Sequence, residues 1–185
     1  MIGEIMKTLL NKEVNYIKND DIREIVECDL EKLPDYFWVI PALTSGKYHP
    51  KASLSEGGLV RHTKTAVEVA MQLFPLYDFN EETKDIIIAS LILHDGFKCG
   101  LDGSEYTVFE HPLIMSQFVF DAIDIDNHGT YRLLISRCIA SHMGQWNTNN
   151  RSSFVLPLPL SEPEKFVHMC DYIASRRNFN IELSD

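Results

Sequence analysis

The chain of 185 residues is long enough for one domain with a sizeable core and too short for two. Its 45% hydrophobic and 24% charged content is that of an ordinary globular protein, which excludes an extended disordered chain. A net charge of −10 argues against general binding of duplex DNA, because a phosphate backbone must be neutralised by Lys and Arg.

No segment resembles a targeting or membrane sequence. The first 20 residues mix apolar and charged side chains, unlike a signal peptide, and no run approaches the ~20 apolar residues of a membrane span. We therefore expect a cytoplasmic protein that does not bind membranes. Four cysteines without a CxxC pair indicate free, mostly buried thiols.

The first predicted elements are two amphipathic helices, from Ile2 to Ile17 and from Ile22 to Leu33. The polar run Asn19-Asp20-Asp21 can end the first and cap the second. Residues 34–41 form a short apolar piece between two prolines, and residues 44–58 have the Gly, Pro and Ser content of a loop.

Charge is unevenly placed along this part of the chain. Residues 20–36 carry seven acids against two bases, whereas residues 47–64 carry four bases against one acid. A local basic patch in an acidic chain suits a small anionic substrate or a single strand. The alternative, which the pattern leaves equally open, is a solvated loop whose charges have no function.

Five further helices are predicted after residue 57, and no run alternates in the way that builds a sheet. The first carries His62 in its opening turns. The second, capped by Asn80, is apolar nearly all round; its run IIIASLIL could form a buried strand, but the cap and the length favour a central helix that ends at His94-Asp95. The others are predicted over residues 111–124, 130–143 and 162–177. The sequence predicts an all-α fold.

Several histidines and acids occupy positions where burial needs an explanation. An ionised Asp95 at the end of an apolar helix is costly unless it is paired or bound to a cation. Imidazole and carboxylate are ordinary ligands of divalent metals, and helix ends can converge on one inner point of a bundle. Each residue taken singly would more often be structural, but the joint pattern predicts a metal site. Its candidate ligands are His62, His94, Asp95, His111, His142 and Asp171.

The order of these residues resembles that of the HD superfamily of metal-dependent phosphohydrolases. GGLVRHT, LILHDGFK and DYIAS are each similar to a stretch of the family pattern, and the match covers roughly residues 45–177. Residues 43–185 would then form the HD-type metal-binding helical domain, with residues 1–42 as an N-terminal helical extension packed on it. One departure is that HDGFK replaces HDIGK, which places a glycine directly after Asp95.

The resemblance implies a dinuclear centre, because members with two additional histidines commonly bind two metals. His62, His94, Asp95 and Asp171 would hold one divalent ion and His111 with His142 the other, with Asp95 bridging. The metal could be Mn, Fe, Mg, Co or Zn.

Asp95 and Lys98 are the predicted catalytic residues. The predicted substrate contacts are Lys98, Arg61, Lys64 and Trp146, the last by stacking on a base. His168, three residues before Asp171, could act as an outer partner on the same helical face.

The predicted function is hydrolysis of a nucleotide or of a single-stranded or cyclic nucleic-acid phosphoester. A deoxynucleotide triphosphohydrolase is a close alternative. An HD-fold di-iron oxygenase is another, since the same ligands can serve oxygen chemistry. A binding module without catalysis is disfavoured because every ligand position is filled. The expected partner is a small phosphorylated substrate, such as a nucleotide or single-stranded oligonucleotide, and the oligomeric state, including a homo-oligomer, stays open.

Overall fold

The computed structural model describes residues 8–42, 50–122 and 128–178, and across these residues the fold is all-α. The only β-type pairing in this part of the chain is an isolated bridge between Thr148 and Val155. Three short 3-10 helices cover Thr8–Leu10, Lys51–Leu54 and Phe74–Leu76. The α-helices are α1 (Asn11–Val14), α2 (Asp20–Leu30), α3 (Tyr36–Val39), α4 (Gly58–Leu73), α5 (Glu81–Leu93), α6 (His111–Asp121), α7 (Gly129–Ala140) and α8 (Glu162–Ala174).

The N-terminal elements are shorter than the sequence pattern predicts. Of the helix expected from Ile2 to Ile17, residues 2–7 lie outside the described residues, and the rest forms a 3-10 turn followed by α1. Helix α2 starts two residues before the predicted Ile22, because the Asn19 side chain accepts a hydrogen bond from the Ile22 amide (3.2 Å) and caps the helix.

Helix α5 is the central element, as its apolar sequence predicts. Every residue from Asp85 to Leu93 is buried, and α5 packs against α2, α4, α7 and α8. Asn80 caps it by accepting a hydrogen bond from the Thr83 amide at 2.8 Å. The run IIIASLIL lies entirely within this α-helix, so its helical interpretation is confirmed.

The remaining helices complete a bundle around α5. Helix α6 pairs with α7, and α8 packs along α4. Helices α6, α7 and α8 each end three residues before their predicted boundaries of 124, 143 and 177. The predicted long connection after residue 145 lies between α7 and α8, and α8 begins with a capping box formed by Ser161 and Glu164.

Two buried polar links join the N-terminal residues to the later helices. The Asp85 carboxylate on α5 accepts hydrogen bonds from the backbone amides of Lys18 (3.1 Å) and Asn19 (2.8 Å). Arg132 on α7 forms a fully buried ion pair with Asp29 on α2 at 2.9 Å. A single hydrophobic cluster also runs from Leu10 to Ala174. The division into an extension and a domain stays a prediction, since both parts share this core.

We expect Asp29→Ala to lower the free energy of unfolding by about 3–5 kcal/mol, because it leaves the buried Arg132 guanidinium without its carboxylate partner. Urea unfolding followed by circular dichroism measures this. The double variant Asp29→Leu, Arg132→Met should recover most of the loss. Lys165→Ala, which breaks an exposed pair with Glu162 (2.8 Å), should cost at most about 1 kcal/mol. An equal cost for the buried and exposed pairs would contradict the prediction.

Candidate metal centre

The bundle brings the six predicted ligands together from five elements. His62 lies in the second turn of α4, His94 and Asp95 directly follow α5, and His111 is the first residue of α6. His142 follows α7, and Asp171 lies in the last turn of α8. All are buried except Asp171, which is partly buried. The centre forms where the central helix α5 ends, next to His94 and Asp95.

Two histidines form the first pair of facing imidazoles. Nε2 of His62 lies 3.3 Å from Nε2 of His94. One oxygen of Asp171 (Oδ1) lies 2.9 Å from Nε2 of His62 and 3.6 Å from Nε2 of His94. The three side chains therefore present their ligand atoms to one point, and they form a group that could hold a metal ion.

His111 and His142 form a second pair of the same kind. Their Nε2 atoms are also 3.3 Å apart. Oδ1 of Asp95 lies 3.0 Å from Nε2 of His111 and 3.8 Å from Nε2 of His142. His94, Asp95 and His142 also have ligand atoms within 4.8 Å of one another and form a second group that could hold a metal ion, which shares His94 with the first.

The Asp95 carboxylate lies between the two pairs and turns one oxygen to each. Oδ1 faces His111 and His142, whereas Oδ2 lies 3.4 Å from Nε2 of His94 and 3.8 Å from Nε2 of His62. Lys98 donates a hydrogen bond to Oδ2. Because one carboxylate can bind two cations through its two oxygens, this position suits a bridging ligand.

Backbone hydrogen bonds orient three of the four imidazoles. In each case Nδ1 lies 2.7 Å from the carbonyl oxygen three residues earlier: Leu91 for His94, Val108 for His111 and Ile139 for His142. Such a bond holds the proton on Nδ1 and leaves the Nε2 lone pair for a metal. The Nε2 atoms of His111 and His142 face each other at 3.3 Å, so a cation between them could bind both. The donor set thus fits a divalent metal.

The protonation states of the centre are those that metal binding requires. Burial lowers the pKa of His142 to about 3, and the charges of His94 and His111 act in the same direction. Burial disfavours ionisation of Asp95, but the charges of Lys98 and His94 and the hydrogen bonds from His111 and His94 together outweigh it and hold the pKa well below its usual range. Hydrogen bonds from His62 and His94 do the same for Asp171. The carboxylates are ionised and His142 is neutral.

His94 differs from His142 because it lies between two carboxylates. Burial lowers its pKa, but the charges of Asp95 and Asp171 and its hydrogen bonds to them outweigh burial and raise the pKa to about 10. In the protein without metal, a proton on His94 neutralises the carboxylates. A bound cation would replace that proton, since metal binding to such groups releases protons.

Close packing around the turn after α5 accounts for the glycine that directly follows Asp95 in HDGFK. A Cβ at this position would lie 2.7 Å from the Met115 sulfur and 2.8 Å from a methyl group of Leu33. The turn after α5 is thus covered closely by α6 and by the residues that follow α2. Gly96 permits this approach, and the turn still places Lys98 beside Asp95.

A cavity of about 390 Å³ opens directly onto the centre. Its buried inner part consists of Asp95, Lys98, His111 and His142. Its more exposed part consists of Asp171, Met143, Trp146, Tyr172, Ser175 and Arg176. The centre is therefore accessible to a small molecule, and the outer part of the cavity adds the two aromatic rings of Trp146 and Tyr172.

The predicted substrate contacts divide into two groups. Lys98 and Trp146 line the cavity. Arg61 and Lys64 are not among the cavity residues; Arg61 instead donates to Ser55 (2.7 Å) and to the Glu56 carbonyl (2.5 Å). Burial raises the pKa of Glu13, and the charge of Lys64, one helical turn beyond Arg61, offsets part of that rise. The roles of Arg61 and Lys64 in substrate binding stay predictions to which the cavity adds no support.

Besides Ser175, three cavity residues were missed at the sequence level. Tyr172 follows the ligand Asp171, and Arg176 lies one helical turn beyond Tyr172, so their spacing could have suggested a common face. The guanidinium of Arg176 stacks over the Tyr172 ring, 4.2 Å from its centroid. Nothing in the sequence signals the third, Met143, except its place directly after His142.

His168 acts as an outer partner, but of His142 rather than of the neighbouring Asp171. Its Nδ1 donates to the His142 carbonyl at 2.7 Å, and its Nε2 lies 3.1 Å from the side-chain oxygen of Gln145. It thereby ties α8 to the turn that carries both His142 and Trp146. Gly144 makes this contact possible, since a Cβ there would lie 2.3 Å from the imidazole.

Comparison of the chain with protein-family models, with curated proteins and with solved structures produced no significant match. Within the described residues, no helix has both the length and the apolar composition needed to cross a membrane.

We expect Gly144→Ala to lower metal affinity by about 10–100-fold, because it displaces His168 and with it the backbone of the ligand His142. Metal titration of the apoprotein measures the affinity. Gly57→Ala is the matched control, since Gly57 also has a positive φ (68°) but a Cβ there would meet its nearest atom at an ordinary 3.6 Å. A similar loss of affinity in both variants would assign the effect to backbone strain instead of His168.

Proposed function

We propose that this chain is a metal-dependent phosphohydrolase of the HD type, with two divalent ions held by His62, His94, Asp95, His111, His142 and Asp171. Its substrate is a nucleotide or a single-stranded or cyclic nucleic-acid phosphoester. The observation that carries the proposal is the placement of two imidazole pairs, each with Nε2 atoms 3.3 Å apart, on the two sides of one buried carboxylate.

A two-metal assignment accounts for this arrangement better than a single ion does. Asp95 directs Oδ1 to one pair and Oδ2 to the other, so each pair has its own carboxylate oxygen. Asp171 adds a second carboxylate to the His62 and His94 side alone. Divalent ions bound there would make hydroxide available near neutral pH and would withdraw electrons from the attacked phosphoryl group.

Lys98 brings a positive charge to the inner end of the cavity. It is 8% exposed and donates to Asp95, so it is not a solvent-facing lysine at a helix end. A phosphate that enters the cavity meets this ammonium group beside the ligands. Lys98 then neutralises the negative charge that grows on the phosphoryl oxygens during in-line attack, which lowers the barrier.

Asp95 has a positioning function in addition to its role as a ligand. Its contact with Lys98 holds the ammonium group near the centre, and its charge keeps His94 in place between two carboxylates. The neutral state of His142 supports a role as a ligand, because a residue with a pKa of about 3 cannot supply a proton to a leaving group near neutral pH.

The proposal predicts two equivalents of divalent metal per chain and hydrolysis of a phosphoester bond that depends on Asp95, measured as released phosphate from nucleotides or as new phosphomonoester ends from cyclic dinucleotides and single strands. Purified protein is analysed for metals and screened with Mn²⁺, Mg²⁺, Co²⁺ and Fe²⁺ against nucleoside mono- and triphosphates, cyclic dinucleotides and short single strands. Asp95→Ala should lose more activity than the about 10–100-fold that follows removal of an outer partner, since it removes the ligand shared by both pairs. Asp78→Ala, an exposed acid outside the cavity, should change nothing.

Several results would contradict this function. Activity that survives Asp95→Ala, or no turnover with any metal, would exclude the hydrolase. Bound iron that consumes oxygen without releasing phosphate would assign the chain to the di-iron oxygenases. Release of inorganic triphosphate from deoxynucleotides would leave the class intact and select the triphosphohydrolase.

Lys98 can be tested separately from the metals. Lys98→Gln should lower kcat by about 10²–10³-fold, because it removes a charge that stabilises the transition state. The metal content should stay at two equivalents, and Lys98→Arg should restore part of the rate. Lys165→Gln, at an exposed lysine on α8, is the control. If Lys98→Gln loses metal and rate together, Lys98 acts on the structure of the centre rather than on the phosphate.

A further inference from the structure

The cavity has an outer wall that the metal centre does not require. Trp146 and Tyr172 stack with their ring centroids 5.1 Å apart and their planes at 19°, and Arg176 lies over Tyr172. Trp146 is 43% exposed, so part of its indole surface is accessible from the cavity. An accessible indole face at the entrance of a charged cavity offers a stacking surface to a ligand with a flat, apolar part.

The wall is held in position from behind. His168 binds the turn before Trp146 through the His142 carbonyl and lies 5.9 Å from the indole, centroid to centroid. The Ser175 hydroxyl accepts a hydrogen bond from the Arg176 guanidinium at 2.8 Å and itself donates to the Tyr172 carbonyl at 2.7 Å. The stack is thus pre-organised, and a ligand that stacks on it loses little affinity to ordering the wall.

We propose that this wall, formed by Trp146, Tyr172 and Arg176, binds one nucleobase, and that the substrate is a single nucleotide unit whose phosphate lies at Lys98. The inference rests on the proposed function, which requires a phosphate at the inner end. Stacking on an indole rewards a flat ring of any base, whereas a sugar phosphate without a base gains nothing from it.

The volume of the cavity and the net charge of the chain limit the substrate to one nucleotide unit. At about 390 Å³ the cavity lies near the lower end of the roughly 300–1,000 Å³ range of small-molecule sites. A longer strand would have to continue over the surface of a chain with net charge −10, where each further phosphate is repelled. The unit is either a free nucleotide or the last residue of a strand, since both offer one base and one phosphate.

Intrinsic fluorescence tests the base contact directly. The chain has two tryptophans, and Trp38 lies outside the cavity, so Trp38→Phe leaves Trp146 as the only indole. AMP mixed with this metal-loaded protein should quench the fluorescence with saturation, and ribose 5-phosphate should bind at least about tenfold more weakly. Equal affinities for the two probes, or no quenching by AMP, would overturn the inference.

Substitutions at Trp146 provide a second measurement by equilibrium dialysis of AMP. Trp146→Leu should weaken AMP binding by about tenfold or more, because it removes the stacking surface, whereas Trp146→Phe should retain most of the affinity. Ribose 5-phosphate should bind all three proteins equally. Phe154→Leu is the matched control, an exposed aromatic in the same connection that does not line the cavity. The same loss for both probes would assign Trp146 a structural role.

Oligonucleotides test the one-unit limit and the source of the unit. A 5′-phosphorylated and a 3′-phosphorylated octamer of deoxyadenosine should bind at most about tenfold more tightly than AMP, and the tighter one identifies which strand end the site accepts. An octamer that binds a hundredfold more tightly would overturn the limit. Metal content and phosphate release from the same preparations report on the proposed function independently, so failure of stacking and failure of hydrolysis remain distinguishable.

Discussion

A carboxylate at the end of a wholly apolar helix can stay ionised only if positive charge or donors surround it. Asp95 meets this condition through Lys98 on one oxygen and through imidazoles on both. Each of those imidazoles comes from a different element, so the requirement of one buried charge decides how the ends of α4, α6 and α7 are placed around the end of α5. The burial of the Asp95 charge therefore constrains both the geometry of the centre and the packing of the helices around it.

Two other buried carboxylates of the bundle have partners of their own. Asp85 accepts two backbone amides from the turn before α2, and Asp29 pairs with Arg132 in the interior. These links attach the N-terminal residues to helices α5 and α7 at points that lie apart from the cavity.

The turn after α7 connects the centre to the cavity wall. It carries His142, a buried ligand, and four residues later Trp146, an exposed aromatic, and His168 holds it against α8. Asp171 and Tyr172 are adjacent on α8 and contribute in the same way, one to the centre and one to the wall. Two short segments thereby set the spacing between the candidate metal centre and the aromatic wall of the cavity.

The sequence by itself determined the all-α class, the central burial of α5 and the helix starts at Asn19 and Asn80, because capping and periodicity depend on residues within about one turn of each other. It also supplied the candidate ligands, since an acid or histidine next to an apolar helix needs a partner wherever it lies. Helix ends were predicted too far along for α6, α7 and α8, because fraying at a C-terminus depends on what covers it. Only the tertiary structure decided which carboxylate oxygen faces which imidazole pair, that Arg61 turns to Ser55 although it adjoins His62, and that Tyr172 and Arg176 join the cavity. These side-chain contacts depend on how the separate helices are rotated against one another. Packing across the whole core sets that rotation, and no local stretch of chain determines it.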